Sequence, residues 1–291
     1  MYFSKVRIRP EIIQSTQFAK MVSGNAYSTH RLLWDLFPDQ KQREFLFREE
    51  IAKEQLERQA GARGEPVYYL VSSSAPFAES PIFMVETRRY EPKLQEGESL
   101  RFELRANPVV TKNGKKHDIV MDAQQAFLGR LSEELNLQSL LKSTPEKNEY
   151  KKSVLAEGGK SLDSRLTSLL QDDCRYAERL NHRLSLADKL EWALKAVVEE
   201  ALENWMSRQA DNNGFIIMKN EEGRLKLQNC AYQWHTLTQK AAKGKKSGFS
   251  SVDFTGDLKI TNVEATERAL FKGIGRSKAF GCGLLLVKRI Y

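Results

Sequence analysis

The chain has 291 residues, 41% of them apolar, enough to bury the core of one large domain or two ordinary ones. Lysine and arginine outnumber aspartate and glutamate 46 to 38, and the net charge of +8 favours a polyanionic partner through counterion release. No apolar run approaches the ~18 residues of a membrane span, and MYFSKVRIRPE at the N-terminus is charged too early for a secretory signal, so the expectation is a cytoplasmic protein with no membrane partner.

Met1 to Arg9 alternates apolar and charged residues, which predicts a strand stopped by Pro10. Asn25 to Phe37 predicts a helix with Leu32, Leu33, Leu36 and Phe37 on its apolar face and Pro38 after its end. Glu44 to Glu49 is a short strand candidate, and the charged stretch Ile51 to Gly64 reads as a loop or weak helix. Val67 to Ser72 (VYYLVS) and Ile82 to Tyr90 predict strands. Leu100, Phe102 and Leu104 alternate with Arg101, Glu103 and Arg105, so one sheet face there is buried and the other wet.

From Met121 to about Met206 the pattern turns helical. Leu190, Leu194, Val197, Ala201 and Trp205 recur at helical steps, and Ser185 with Asp188 has capping-box spacing. The Trp192 and Trp205 helix reads as core. Within this stretch Leu137 to Leu184 is polar and lysine-rich, with Pro145 and Gly158-Gly159, and reads as an inserted, partly helical or flexible segment. Strands return at Phe215 to Lys219, Cys230 to Thr238 and Ser250 to Ile260, and a helix from about Ala265 to Lys272 precedes a final strand at Leu284 to Ile290. The succession predicts an α+β fold of two tandem ferredoxin-like (RRM-like) domains, residues 1–96 and 97–291, the second with a largely helical insertion at about 137–184. The first lacks a convincing second helix.

Between the last helix and strand runs GIGRSKAFGCG, in which Gly273, Gly275, Gly281 and Gly283 flank Arg276 and Lys278. Glycine lets backbone approach a phosphate, and successive N–H groups can cradle an anion. The alternative is a tight helix-to-strand turn. Lys240 to Lys246 (KAAKGKK) carries four lysines in seven residues, either a solvated hairpin tip or a phosphate-backbone contact. Tyr27 and His30 share a helix face, with Trp34 one turn further on. On residue types alone, His30 reads as a partly exposed histidine beside packed aromatics. Tyr232, Trp234 and His235 read as strand packing rather than base-stacking groups, and Arg7, Arg9 and Arg105 as a solvated strand face rather than a face that RNA crosses. Cys174, Cys230 and Cys282 are far apart with no CxxC, His30, His117, His182 and His235 lack ligand spacing, and His117-Asp118 is a lone pair, so neither a disulfide framework, a metal nor a cofactor is expected.

GIGRSKAFGCGLL resembles the C-terminal signature of the repeat-associated mysterious protein superfamily, and within it the crRNA-processing endoribonucleases of type I-E Cascade. MYFSKV, HRLLWDLFPD (His30 to Asp39), LRFELRANPV (Leu100 to Val109), KKHDIVM (Lys115 to Met121) and KSGFSSVDFTGDLKI (Lys246 to Ile260) resemble the same family in the same order. Leu137 to Leu184 lies outside the resemblance. The resemblance implies metal-independent cutting of a CRISPR repeat RNA hairpin: the 2′-hydroxyl attacks the adjacent phosphate, leaving a 2′,3′-cyclic phosphate and a 5′-hydroxyl. The crRNA product would be kept among other Cascade subunits. It implies His30 as general acid and Tyr27 as support for the reacting hydroxyl, with Lys246 and Ser247 as candidates for the cation and the hydrogen-bond donor at the phosphate. Lys240, Lys243 and Lys245 would contact the RNA, as would Gly273, Gly275, Arg276, Lys278, Gly281 and Gly283. The rival reading is a non-catalytic RNA-binding subunit of a ribonucleoprotein complex.

Overall fold

A computed structural model of the chain describes residues 1–13, 26–51, 66–112, 114–140, 145–237 and 248–290. The chain divides into two compact units, Met1–Asn107 with Ser207–Tyr291, and Pro108–Met206.

The first unit holds two antiparallel sheets. In the first, β1 (Tyr2–Ile8), β2 (Phe45–Ile51), β3 (Pro66–Ser72) and β4 (Phe83–Arg89) lie in the order β2-β3-β1-β4. That is the ferredoxin-like strand order. Val6 stands opposite Tyr68 on one side and Val85 on the other, and Phe47 opposite Leu70. Helix α1 (Ala26–Trp34) connects β1 to β2, and residues 73–82, between β3 and β4, contain no helix. Period-two alternation decides the two faces. Val6, Ile8, Phe45, Phe47, Tyr68, Leu70 and Phe83 bury against Leu33, Leu36 and Phe37. Leu46 and Val71 point the other way and bury with Leu284.

The second sheet has the same strand order. β5 (Ser99–Ala106), β8 (Phe215–Ile217), β10 (Gly248–Ile260) and β11 (Leu285–Arg289) run β11-β5-β10-β8, with β9 (Leu227–Thr236) paired to β10 as a hairpin. Helix α6 (Val263–Lys272) connects β10 to β11; Asn262 caps it by accepting the Ala265 N–H at 2.9 Å. The fold is therefore α+β with two tandem ferredoxin-like halves.

An ionic joint ties the halves. Arg105 on β5 grips Asp253 on β10 through both carboxylate oxygens, at 2.7 and 2.8 Å, and its Nη1 donates to the Glu49 carbonyl on β2 at 3.0 Å. Arg48, 5% exposed, is paired with Glu50 and lies 4.0 Å from Asp253. Arg105 is thus not the solvated strand arginine expected from the alternation. Its partners are placed by tertiary pairing, which the local pattern does not carry.

The second unit begins with the hairpin β6 (Val109–Lys112) and β7 (Lys115–Asp118) and continues with α2 (Ile119–Glu134), α3 (Lys147–Glu157) and α4 (Gly159–Asp172). It ends within α5 (Leu186–Asn212). Asp118 accepts the Met121 N–H at 2.9 Å and so caps α2, which gives the acidic half of His117-Asp118 a structural task. Ser185 and Asp188 form the expected reciprocal cap of α5. Val154, Leu162, Leu166, Leu170, Leu190, Ala193 and Leu194 make a shared core, with Trp192 packed against it. Much of the 137–184 stretch is therefore packed helix rather than flexible chain. Its apolar residues are few but recur at helical spacing.

Candidate active site

His30 belongs to α1, whose neighbours Leu32 and Leu33 are buried. The imidazole is half-buried over two rings of β2. Its centroid lies 6.0 Å from Phe45 and 6.5 Å from Phe47, at interplanar angles of 26° and 30°, and Trp34 meets it edge-on at 5.4 Å. Phe45 and Phe47 are alternate strand residues, so one face of β2 presents both. Burial against these rings, and then the positive charge of Arg43, hold the His30 pKa below its ordinary value.

The glycine-rich run closes onto the same patch. The Gly273 N–H bonds the Ala269 carbonyl at 2.8 Å, and the Ile274 N–H bonds the Gly283 carbonyl at 2.9 Å. Gly273 (φ +73°) and Gly283 (φ +92°) form the neck of this loop. A Cβ on Gly273 would lie 2.9 Å from the Gly283 carbonyl oxygen, and one on Gly283 would lie 2.8 Å from the Ile274 carbonyl oxygen. Only glycine fits both positions. A Cβ on Gly281 would stand 3.2 Å from the Phe47 ring. At least three of the four glycines thus have a packing reason, and Gly275 and the exposed Arg276 occupy the tip. The 3₁₀ turn Lys278–Phe280 packs against α1 and β2. Phe280 stacks on Phe249 at 4.9 Å, and Phe249 on His235 at 4.6 Å. His235 Nε2 shares a hydrogen bond with Ser251 Oγ at 2.8 Å.

Lys278 reaches back along its own loop. Its Nζ donates to the Lys272 carbonyl at 2.7 Å, and burial, then the charge of Arg43, lower its pKa. Arg43 therefore lies within electrostatic reach of both His30 and Lys278. An imidazole and two cations meeting at a helix and a glycine loop can bind a phosphate and pass a proton to it.

Lys278 and Gly281 lie against the α1 and β2 surface that carries His30. Tyr27 is on α1 one turn before His30, but its side chain lies outside the described residues, as do Lys240, Lys243, Lys245, Lys246 and Ser247. Arg43 and Phe47 were not legible as site residues; the only local signal is an arginine two positions before an alternating Phe-Leu-Phe. Tyr232 and Trp234, expected to pack, are 42% and 48% exposed on β9, whereas His235 packs as expected. Cys174, Cys230 and Cys282 carry free thiols, and burial pushes that of Cys282 up to about 12. Among the described residues no group of three or more His, Cys, Asp or Glu side chains is placed to hold a metal ion, and no helix is long and apolar enough to cross a membrane.

Known proteins share this architecture. A structure described as CRISPR endoribonuclease Cse3 bound to 19 nt RNA aligns with a TM-score of 0.57 at 20% identity, covering 99% of this chain and 100% of that one. Thermus thermophilus Cse3, bound to an RNA representing a pre-cleavage complex, aligns with a TM-score of 0.56 at 18% identity, covering 99% and 98%. At such identity the likeness bears on the fold. The CRISPR system Cascade subunit CasE of Escherichia coli (strain K12) is 34% identical over 113 residues, 38% of this chain and 48% of that protein. The match thus spans about half the length of that curated relative. A family model described as CRISPR associated protein matches residues 1–289. With nearly the whole length matched, the chain belongs to the CRISPR-associated protein family.

Proposed function

We propose that the chain is a metal-independent endoribonuclease that cuts CRISPR repeat RNA hairpins and keeps the crRNA product as a subunit of a Cascade complex. The observation that carries this reading is the packing of the 3₁₀ turn Lys278–Phe280 on the His30 helix, with both His30 and Lys278 within electrostatic reach of Arg43. The RNA-bound Cse3 structures and the Cascade subunit CasE support the substrate class and the complex.

In this reading the 2′-oxygen attacks the adjacent phosphorus and the bond to the 5′-oxygen breaks. His30 acts as general acid and gives its proton to that leaving oxygen. Tyr27 supports the reacting hydroxyl, and Lys246 and Ser247 serve the phosphate. The domain of residues 1–96 supplies the acid. The domain of residues 97–291 holds the RNA through its glycine loop, with Arg276 at the tip, and through Lys240, Lys243 and Lys245. A-form RNA hides its major-groove edges, so contacts to backbone and shape suit a repeat stem.

His30→Ala tests the assignment. One imidazole contributes little to phosphate affinity, so hairpin binding in a filter or mobility-shift assay is expected to persist while cleavage is lost. Cleavage at the normal rate by this variant would sink the catalytic role. Binding without cleavage by the unmodified chain would favour the non-catalytic RNA-binding subunit.

A further inference from the structure

Several arginines in the first unit are answered by carboxylates. Arg101 meets Asp257 at 3.0 Å, Arg105 meets Asp253 at 2.7 Å, Arg289 meets Glu98 at 2.6 Å, and Arg48 pairs with Glu50. Arg43 is not among them. It is half-buried two residues before β2, and among the described residues no hydrogen bond or ion pair engages its guanidinium; Nη1 is buried without a partner. A desolvated cation with an idle donor costs free energy that a bound anion recovers.

Its surroundings say where the anion goes. The charge of Arg43 is felt by both His30 and Lys278. Around His30 stand Trp34 on α1, Phe45 and Phe47 on β2, and the packed turn carrying Lys278. Among the described residues no carboxylate offsets the charge at Lys278.

We propose that Arg43 is a catalytic residue whose guanidinium takes the nonbridging oxygens of the scissile phosphodiester beside His30. The inference rests on the endoribonuclease reading above. As the 2′-oxygen bonds to phosphorus and the bond to the 5′-oxygen breaks, the 2′-hydroxyl proton passes to solvent water and the His30 imidazolium gives its proton to the 5′-oxygen; solvent then returns a proton to His30. Protons balance and no co-reactant is needed. Negative charge builds on the two nonbridging oxygens, and the planar guanidinium fork matches that pair. The same phosphate offsets the field of Arg43 on His30, so the group to be cut also favours the protonated acid.

The experiment takes the best-bound hairpin from a panel of CRISPR repeats. It measures single-turnover cleavage, affinity and the pH–rate profile for the unmodified chain, Arg43→Gln, Arg43→Lys and His30→Ala, with thermal melts as a folding check. Arg43→Gln is expected to slow cleavage about 10²–10³-fold with affinity within a few-fold. Arg43→Lys should recover part of the loss. The basic limb of the profile should move to higher pH in Arg43→Gln, because a positive charge no longer opposes protonation of His30. Normal cleavage by Arg43→Gln with an inactive His30→Ala overturns the role of Arg43 and leaves the endoribonuclease standing. A loss confined to affinity makes Arg43 an RNA anchor and equally overturns the proposal. No cleavage by the unmodified chain overturns the endoribonuclease reading instead, and normal cleavage by His30→Ala removes His30 as the acid. Arg43 is then judged by titrating inorganic phosphate while reading the His30 imidazole by NMR. An upward pKa shift in the unmodified chain, absent in Arg43→Gln, supports the anion site, and no shift in either sinks it. If Arg43→Gln melts early, Arg43→Lys carries the comparison, since it keeps the charge and loses the fork.

Discussion

The imidazole of His30 lies over the ring of Phe47, with centroids 6.5 Å apart and planes 30° apart. The same ring bounds Gly281, where a Cβ would come within 3.2 Å of it. One buried aromatic therefore supports His30 and the glycine loop together. Phe47→Leu is expected to cost about 1 kcal/mol of stability and to lower the cleavage rate at least several-fold, with RNA affinity near normal. Urea unfolding and single-turnover kinetics read the two effects. A stability loss with an unchanged rate would mean that Phe47 is core alone.

The joint between the two sheets gives a second expectation. Asp253 answers Arg105 through two oxygens and lies near Arg48, so Asp253→Asn leaves two guanidinium groups short of charge. Breaking a largely buried pair of this kind costs about 3 kcal/mol. The double variant Arg105→Met, Asp253→Leu should lose less than the sum of the single losses, because the two side chains interact directly. Simple additivity in denaturant unfolding would show that the pair contributes nothing specific.

Two histidines contribute to the loss of stability on the acid side. Burial first, then Arg43 for His30 and Arg105 for His235, hold both folded pKa values below the ordinary value near 6.5. The unfolded chain therefore takes up these protons first as pH falls. The stabilisation is complete above the unfolded pKa and is lost progressively below about 6.5 as pH falls towards the depressed folded values. The melting temperature should drop between pH 7.5 and 5.5, and drop less in His235→Gln. An identical drop in that variant would remove His235 from the explanation.

Much of the fold was legible before the structure. VYYLVS, the alternation at Leu100 to Leu104 and the Ser185–Asp188 cap are local signals that tertiary packing reinforces. The helices within 145–172 were harder to read, because Val154, Leu162, Leu166 and Leu170 are few apolar residues among many polar ones. Half of the site was legible in the same way. His30 and the 273–283 loop follow from motif resemblance. Arg43 carries no motif, and its proposed role depends on a tertiary proximity to His30 and Lys278 that no local pattern encodes. Tyr232 and Trp234 show the opposite failure: aromatic strand residues suggested packing, but β9 leaves both exposed.

The most direct measurement incubates the purified chain with CRISPR repeat hairpins in EDTA and analyses the ends of the products. A 5′-hydroxyl and a 2′,3′-cyclic phosphate formed without metal, and absent with His30→Ala, are expected. A metal requirement or a 3′-hydroxyl product would contradict the proposed chemistry.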